Sequence, residues 1–453
     1  MSCNKMELPK EVSCIIKLLN ERGHEAYAVG GAVRDTILGR SPEDWDVTTS
    51  ALPDEIKSIF NRTVDTGIEH GTVTVLMKGK GYEVTTYRID GEYLDSRHPR
   101  DVKFTRNLSE DLLRRDFTIN AMAYNDRDGL VDEYGGEKDL EDGIIRCVGD
   151  PVKRFEEDAL RMLRAVRFSA QLGFTIHPDT REAIIKLAPT IKNISCERIR
   201  DEILKLIESD NPGHIRELYN LGLTKYILAE FDEMMACEQN SKHHMYNVGE
   251  HTIHAMENIE SDRVLRLTML LHDMGKPSTK SQDEDGYDHF YNHQIVGAQM
   301  ANKTLRSLKL DNDTRKKVVN LVRFHDERPV LKEKKVRKCI VETGLEAFPN
   351  IFAVKRADTL AQSMYKREEK LRYIDDFEAM YNDIVSKGQC LRIADMKISG
   401  KDLIEMGVRQ GPDIGDILQE LFEDVLNNPS HNEEQYLKER ATKLLLKRKQ
   451  HES

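Results

Sequence analysis

Residues 26–47 of this chain, AYAVGGAVRDTILGRSPEDWDV, read as a short apolar strand, a glycine pair, one short helix and the start of a second strand. The end of that run constrains the fold most. Alternate residues on a strand share a face, so Asp44 and Asp46 are expected to project together and to repel unless a cation sits between them. Such a pair suits Mg²⁺. Upstream, Gly30 and Gly31 separate strand from helix, where glycine lets the backbone approach an anion and the helix start offers unpaired N–H groups. Arg34, in the first turns, can add a charged fork to the same anion. A glycine pair alone fits a plain tight turn equally well, so the carboxylates downstream carry the reading.

The strand-and-turn pattern continues to Val148. Residues 72–88, TVTVLMKGKGYEVTTYR, read as a hairpin folded at Gly79 to Gly81. Glu83 lies mid-strand with Thr85 on its face, and is the expected third carboxylate beside Asp44 and Asp46; the plainer reading is an exposed strand glutamate. From Pro151 onward strand signals almost vanish, and apolar residues recur at helical spacing, as in Leu160, Leu163, Val166 and Phe168. The expected fold class is α+β: a mixed-sheet head with helices over 1–150, then all-α segments over 151–236, 237–388 and 389–453. A chain of 453 residues has room for about three domains at roughly 100 to 200 residues each.

Composition excludes several classes. With 39% hydrophobic and 32% charged residues the chain is globular and helix-rich, not fibrous or disordered. Residues 1–12 carry charges with no apolar run behind them, and no apolar stretch is long enough to span a bilayer. The seven cysteines are odd in number and scattered, which argues against a disulfide framework or a thiolate zinc site, and a reducing cytoplasm is the expected location. A net charge of −11 hides local basic runs at Arg154 to Arg167, Arg315 to Lys338 and Lys438 to Lys449. Without other support these read as solvated helix faces.

In DLLRRDFTINAMA (111–123), Arg114, Arg115 and Asp116 precede an apolar stretch, a costly arrangement unless anions or hydroxyls partner them. A nucleoside triphosphate would do so. Four runs taken in order, GGAVRD, DWD, RRDFTINAMAY and EDALRMLRAVRF, resemble the motifs of the bacterial tRNA nucleotidyltransferase and poly(A) polymerase family, from about Tyr27 to Glu202 and more loosely to the C-terminus. Within it the chain looks most like members that add CCA. The resemblance implies template-independent addition of C, C and A to the 3′ end of tRNA, with CTP and ATP as substrates, Mg²⁺ on Asp44 and Asp46, and no DNA partner.

Glu157 to Arg161 is expected on a helix, where residues three apart share a face, so that Asp158 and Arg161 lie side by side. An ionised aspartate only accepts hydrogen bonds and an arginine only donates them. Cytosine and adenine each show an amino donor beside a ring-nitrogen acceptor, whereas uracil and guanine show the reverse, so the pair favours C and A. Spacing alone would leave an ordinary helix salt bridge. The resemblance further implies Arg115, Arg164 and Arg167 as nucleotide ligands and ERIRDE (197–202) as a helix-stabilising motif. It also implies an intact, mobile segment between Arg88 and Asp111, which is shortened in members that add only CC.

His251, His272, Asp273, His293, His325 and Asp358 follow the order and approximate spacing of the HD superfamily of metal-dependent phosphohydrolases. Imidazoles with an adjacent aspartate suit a divalent metal that activates water. His243, His244 and His289 are expected to be ordinary core or surface residues. Residues 398–415 resemble the tRNA-contacting tail of the family. Rival readings are an A-adding enzyme, a poly(A) polymerase, a phosphohydrolase with a vestigial head, or an RNA-binding module without chemistry.

Overall fold

The computed structural model describes residues 6–90 and 102–451. It divides into two compact units, Met1–Asp232 with Ser307–Lys309, and Glu233–Arg306 with Leu310–Ser453.

The first unit is built on a seven-stranded mixed sheet in the order β3-β4-β5-β2-β1-β8-β9. Its strands are β1 (Ala26–Val29), β2 (Asp46–Thr49), β3 (Thr63–Gly67), β4 (Thr72–Met77), β5 (Lys80–Thr86), β8 (Ala123–Asn125) and β9 (Gly129–Val131); β6 (Arg88–Asp90) and β7 (Val102–Phe104) form a separate small pair. Central β2 runs antiparallel to β1 and parallel to β5, which sets Asp46 beside both Val29 and Glu83. The β4–β5 hairpin turns at Lys78 and Gly79, whose φ angles are +49° and +82°. Two left-handed residues match the twist of the flanking strands. The turn therefore falls one residue earlier than expected, and Gly81 is already in β5 opposite Leu76.

A second difference concerns Asp44. Strand β2 begins only at Asp46, because β1 ends at its partner Val29 and offers nothing further to pair with. Asp44 is an exposed residue ahead of the strand, tethered by Trp45, which is 9% exposed. The loop expected between Arg88 and Asp111 has β6 and β7 at its base, and residues 91–101 lie outside the described residues.

Helix α1 (Lys10–Glu21) buries Val12, Ile15, Ile16 and Leu19. Short helices α2 (Gly31–Ile37), α3 (Pro53–Ile59), α4 (Leu108–Leu113) and α5 (Gly136–Asp142) complete the head. Then come α6 (Pro151–Glu157), α7 (Leu160–Leu172), α8 (Pro178–Leu187) and α9 (Cys196–Ile207). The expectation that Asp158 and Arg161 share a helical face fails here. Asp158 ends α6 with extended backbone (φ −145°, ψ 103°), and only Arg161 is helical, on α7.

The second unit is helical, with one small hairpin of Lys280–Gln282 and Asp288–Phe290. Phe348, Phe352, Phe377 and Tyr381 pack as an aromatic knot with ring centroids 5.1–5.6 Å apart. A separate apolar cluster that includes Leu403, Ile417, Leu421 and Leu437 holds the C-terminal helices together. No described helix is long and apolar enough to cross a membrane.

Gly136 shows how tightly α5 sits on the turn Thr118–Asn120: a Cβ there would run into the Thr118 carbonyl oxygen and the Met122 side chain. Gly136→Ala is expected to destabilise the first unit by about 2 kcal/mol through overpacking. Gly135→Ala, at φ +75° but with no atom within 4 Å, should cost about 1 kcal/mol of backbone strain. Thermal melts of the two variants check the order.

Candidate functional site

The register of β2 brings two carboxylates together at one end of the sheet. Asp46 faces its neighbour Glu83 across a parallel pair, and Asp44 precedes it. Although both Asp46 and Glu83 keep an open face to solvent, the Asp46 carboxyl is raised above its usual range. Desolvation by the surrounding protein is the largest cause; Glu83 and Asp44 add to it and Arg115 opposes it. A cluster that resists carrying its own negative charge is one that a cation stabilises.

Arg115 explains the first glycine of the pair. Gly30 has φ +77° and ψ −136°, and a Cβ there would lie 3.1 Å from Arg115 Nη1. Only glycine allows both the backbone angle and the approach of the guanidinium. Asp111, wholly buried, stands behind: its carboxylate accepts from Arg114 Nε at 2.9 Å and Thr48 Oγ1 at 3.1 Å, and lies 3.6 Å from Arg115 Nη2. Arg115 Nε has no hydrogen-bond partner. The cation is thus placed beside the carboxylate end, with 19% of its side chain exposed.

The other arginines expected at the nucleotide are engaged within the protein. Arg34 donates to both oxygens of Asp35, at 2.8 and 2.9 Å, and to Asn120 Oδ1 at 2.8 Å. Asn120 Nδ2 in turn donates to Asp116 Oδ1 at 3.1 Å, and Asp116 Oδ2 accepts from Arg164 Nε and Nη2 at 2.8 and 2.6 Å. Burial alone would raise the Asp116 carboxyl, but Arg164 and Asn120 hold it down at about 2. Arg167 donates to Glu202 at 2.5 Å and to Gln171 at 2.8 Å, with its guanidinium 3.9 Å from the centre of the Phe168 ring. Arg164 keeps a third of its side chain exposed, whereas Arg34 and Arg167 are buried.

Asp158 and Arg161 each have a partner other than one another. Arg198 donates to Asp158 Oδ1 and Oδ2 at 3.2 and 2.7 Å. Arg161 donates to Glu157 at 2.6 Å and to the carbonyl oxygens of Arg154 and Arg114 at 3.1 and 2.9 Å. The break between α6 and α7 sets this arrangement.

In the second unit all six expected residues of the histidine–aspartate set converge. His251 Nε2 lies 2.9 Å from Asp358 Oδ1 and 3.5 Å from Asp273 Oδ2, and His272 Nε2 lies 3.2 Å from the same Asp273 oxygen. His293 and His325 direct Nε2 at Asp273 Oδ1, at 3.5 and 3.7 Å, and at each other at 3.3 Å. The Nδ1 atoms of His272, His293 and His325 bond to carbonyl oxygens three residues earlier, at 2.7, 2.8 and 2.7 Å. A carbonyl can only accept, so each neutral ring carries its proton on Nδ1 and turns an Nε2 lone pair inward. Lone pairs facing each other and two carboxylates make a donor set for cations. His272 Nε2 is buried without a hydrogen-bond partner, as a metal ligand would be, whereas Asp273 Oδ2 pairs with the Lys276 ammonium at 2.7 Å. Two triads, His251–His272–Asp273 and Asp273–His293–His325, each bring their ligand atoms within 4.8 Å of one another and share Asp273.

This centre opens on a cavity of about 730 Å³. His243, His244 and His289, expected to be ordinary, line it too. His244 is edge-on to His251 with centroids 5.2 Å apart, and burial pulls its imidazole down to about 2. The adjacent pair His243–His244 was the one signal for it. Arg198 had none beyond its place in ERIRDE.

Comparison with known proteins gives a consistent set. A family profile described as "Poly A polymerase head domain" matches residues 26–146, "Probable RNA and SrmB- binding site of polymerase A" matches 173–235, and "tRNA nucleotidyltransferase domain 2 putative" matches 290–441. A CCA-adding enzyme of Ligilactobacillus salivarius is 37% identical over 445 residues, 96% of each chain. One of Leuconostoc mesenteroides is 51% identical over 215 residues, a match that spans 47% of this chain and about half (54%) of that relative's length. Among solved structures, the Bacillus stearothermophilus CCA-adding enzyme in complex with CTP superposes with a TM-score of 0.74 at 30% identity, covering 98% of this chain and all of that one. The Thermotoga maritima CCA-adding enzyme complexed with tRNA, at 22% identity and a TM-score of 0.59 over 97% of each chain, shares the fold.

The buried Arg167–Glu202 pair generates a test of how α7 is held. Glu202→Ala leaves a guanidinium 7% exposed without its counter-charge and is expected to cost about 3 kcal/mol, with Glu202→Gln costing less because it keeps an acceptor. Denaturant melts of both variants measure the difference.

Proposed function

The chain belongs to the CCA-adding enzyme family of tRNA nucleotidyltransferases, and on that premise we propose that it adds C, C and A to the 3′ end of tRNA from CTP and ATP. The observation that carries the reading is the register of β2, which sets Asp46 against Glu83 with Arg115 drawn in beside Gly30. In the reaction the tRNA 3′ oxygen bonds to the α-phosphorus, the bond from that phosphorus to the bridging oxygen breaks, and pyrophosphate leaves. A Mg²⁺ ion on Asp44 and Asp46 would activate the hydroxyl and offset charge on the triphosphate. Glu83 adds the third carboxylate.

Gly30 and Gly31 let the triphosphate approach the backbone, and Arg115 and Arg164, each with guanidinium surface left over, bind it, while Asp116, its oxygens already taken by Arg164, Asn120 and the Phe117 N–H, holds Arg164 in place. Arg34 and Arg167 hold this constellation in place from within. Asp158 accepts from the amino group of cytosine or adenine and Arg161 donates to the ring nitrogen. A site that leaves buried polar groups unpaired with the wrong base discriminates strongly. The tail over 398–415 contacts the tRNA, and the cytoplasm is the working compartment.

The converging ligand atoms around Asp273 favour a second activity in the same chain, hydrolysis of phosphate esters at one or two divalent cations with Asp273 between them.

Asp46→Ala is expected to lower nucleotide incorporation by at least about a hundred-fold with an unchanged melting temperature; near wild-type incorporation would sink the assignment. Given tRNA ending at the discriminator base, CTP and ATP together should give three added residues and then a stop. Indefinite extension with ATP alone would mean a poly(A) polymerase, and addition only to tRNA already ending in CC an A-adding enzyme. Asp273→Ala should lose bound divalent metal, measured by elemental analysis, and phosphatase activity while keeping CCA addition. Retention of the metal would remove the cluster as its site.

A further inference from the structure

Nothing helical fixes the side chain of Asp158, because α6 ends before it and α7 begins after it. What fixes it is Arg198, from the first turn of α9. The guanidinium grips both carboxylate oxygens, Nη2 to Oδ2 at 2.7 Å and Nη1 to Oδ1 at 3.2 Å, and Oδ1 also accepts the Leu160 N–H at 3.1 Å. A two-pronged bond of this kind sets the plane of the carboxylate as well as its position. Arg198 is itself held in register, since one turn further along α9 Glu202 grips Arg167 of α7, the helix that carries Arg161. A carboxylate has about four acceptor directions, and three are taken here.

We propose that Arg198 is a positioning residue for nucleotide selection: by occupying both oxygens of Asp158 it leaves a single acceptor direction, so that the base must bring a donor to that one place. The inference rests on the reading of Asp158 and Arg161 as the base-reading pair. Cytosine and adenine bring their amino groups. Uracil and guanine bring a carbonyl oxygen, which meets a carboxylate oxygen with no proton between them. Released from the fork, Asp158 can rotate and accept the ring N–H of uracil or guanine, so the loss of Arg198 relaxes the choice of base.

The test is single-nucleotide incorporation by the full-length chain on tRNA ending at the discriminator base, with CTP and UTP compared. Arg198→Ala is expected to lower the ratio of kcat/KM for CTP over UTP by roughly ten-fold or more, the order of one charge-assisted contact. A merely structural role would slow both nucleotides alike and leave the ratio where it was. Arg198→Lys keeps the charge without the fork and should fall between; it carries the test alone should Arg198→Ala not fold, as its thermal melt will show. An unchanged ratio in the folded variants overturns the proposal. Asp158→Ala, run in parallel, separates the two claims: if it too leaves the ratio unchanged, the base-reading assignment is what fails, and if it collapses the ratio while the Arg198 variants do not, the role of Arg198 alone is refuted.

Discussion

The ion pair between Asp116 and Arg164 is the contact on which the first unit depends. It joins the RRDFTIN segment of the head to the helix α7 through two short bonds, with Asp116 8% exposed. Burying a charged pair recovers its desolvation cost only if the remaining lone pairs are also satisfied. Here they are: Asn120 and the Phe117 N–H take the other carboxylate oxygen, and Asn120 passes the connection to Arg34 and so to α2. A single line of hydrogen bonds thus runs from α7 to the helix that follows the glycine pair. Removal of Asp116 would take from Arg164 its closest counter-charge beside the Phe168 ring, whose centre lies within 5.3 Å of the guanidinium carbons of Arg34, Arg164 and Arg167.

That network divides the arginines by task. Those whose donors are consumed internally, Arg34 and Arg167, set distances; Arg115 and Arg164 keep 19% and 33% of their side chains exposed. The same economy appears at Asp111, one buried carboxylate that orders Arg114, Thr48 and the approach of Arg115. Rigid supports of this kind let a site built on strand ends and short turns stay preorganised without ligand.

The two units solve the crowding of like groups differently. In the head, carboxylates gather at one end of the sheet because strand register places them there, and an arginine moderates the charge. In the helical unit, three imidazoles spend their N–H groups on backbone carbonyls and turn lone pairs toward Asp273. Gly275 makes this possible, since a Cβ there would strike the His293 carbonyl and push apart the two segments that carry the ligands.

The sequence by itself determined the α+β head, the helical remainder and the family, and it singled out the histidines and aspartates that converge around Asp273, because those depend on residue type, local periodicity and motif order. The mid-strand position of Glu83 was also within reach, since it is a local property. What only the tertiary structure decided was which atom meets which. That Asp44 lies before the strand follows from where β1 ends, and that Asp158 answers to Arg198 and not to Arg161 follows from a helix break and from a helix forty residues away. Spacing along the chain fixes only neighbours within a turn or a strand; partners brought by separate elements are set by how those elements pack.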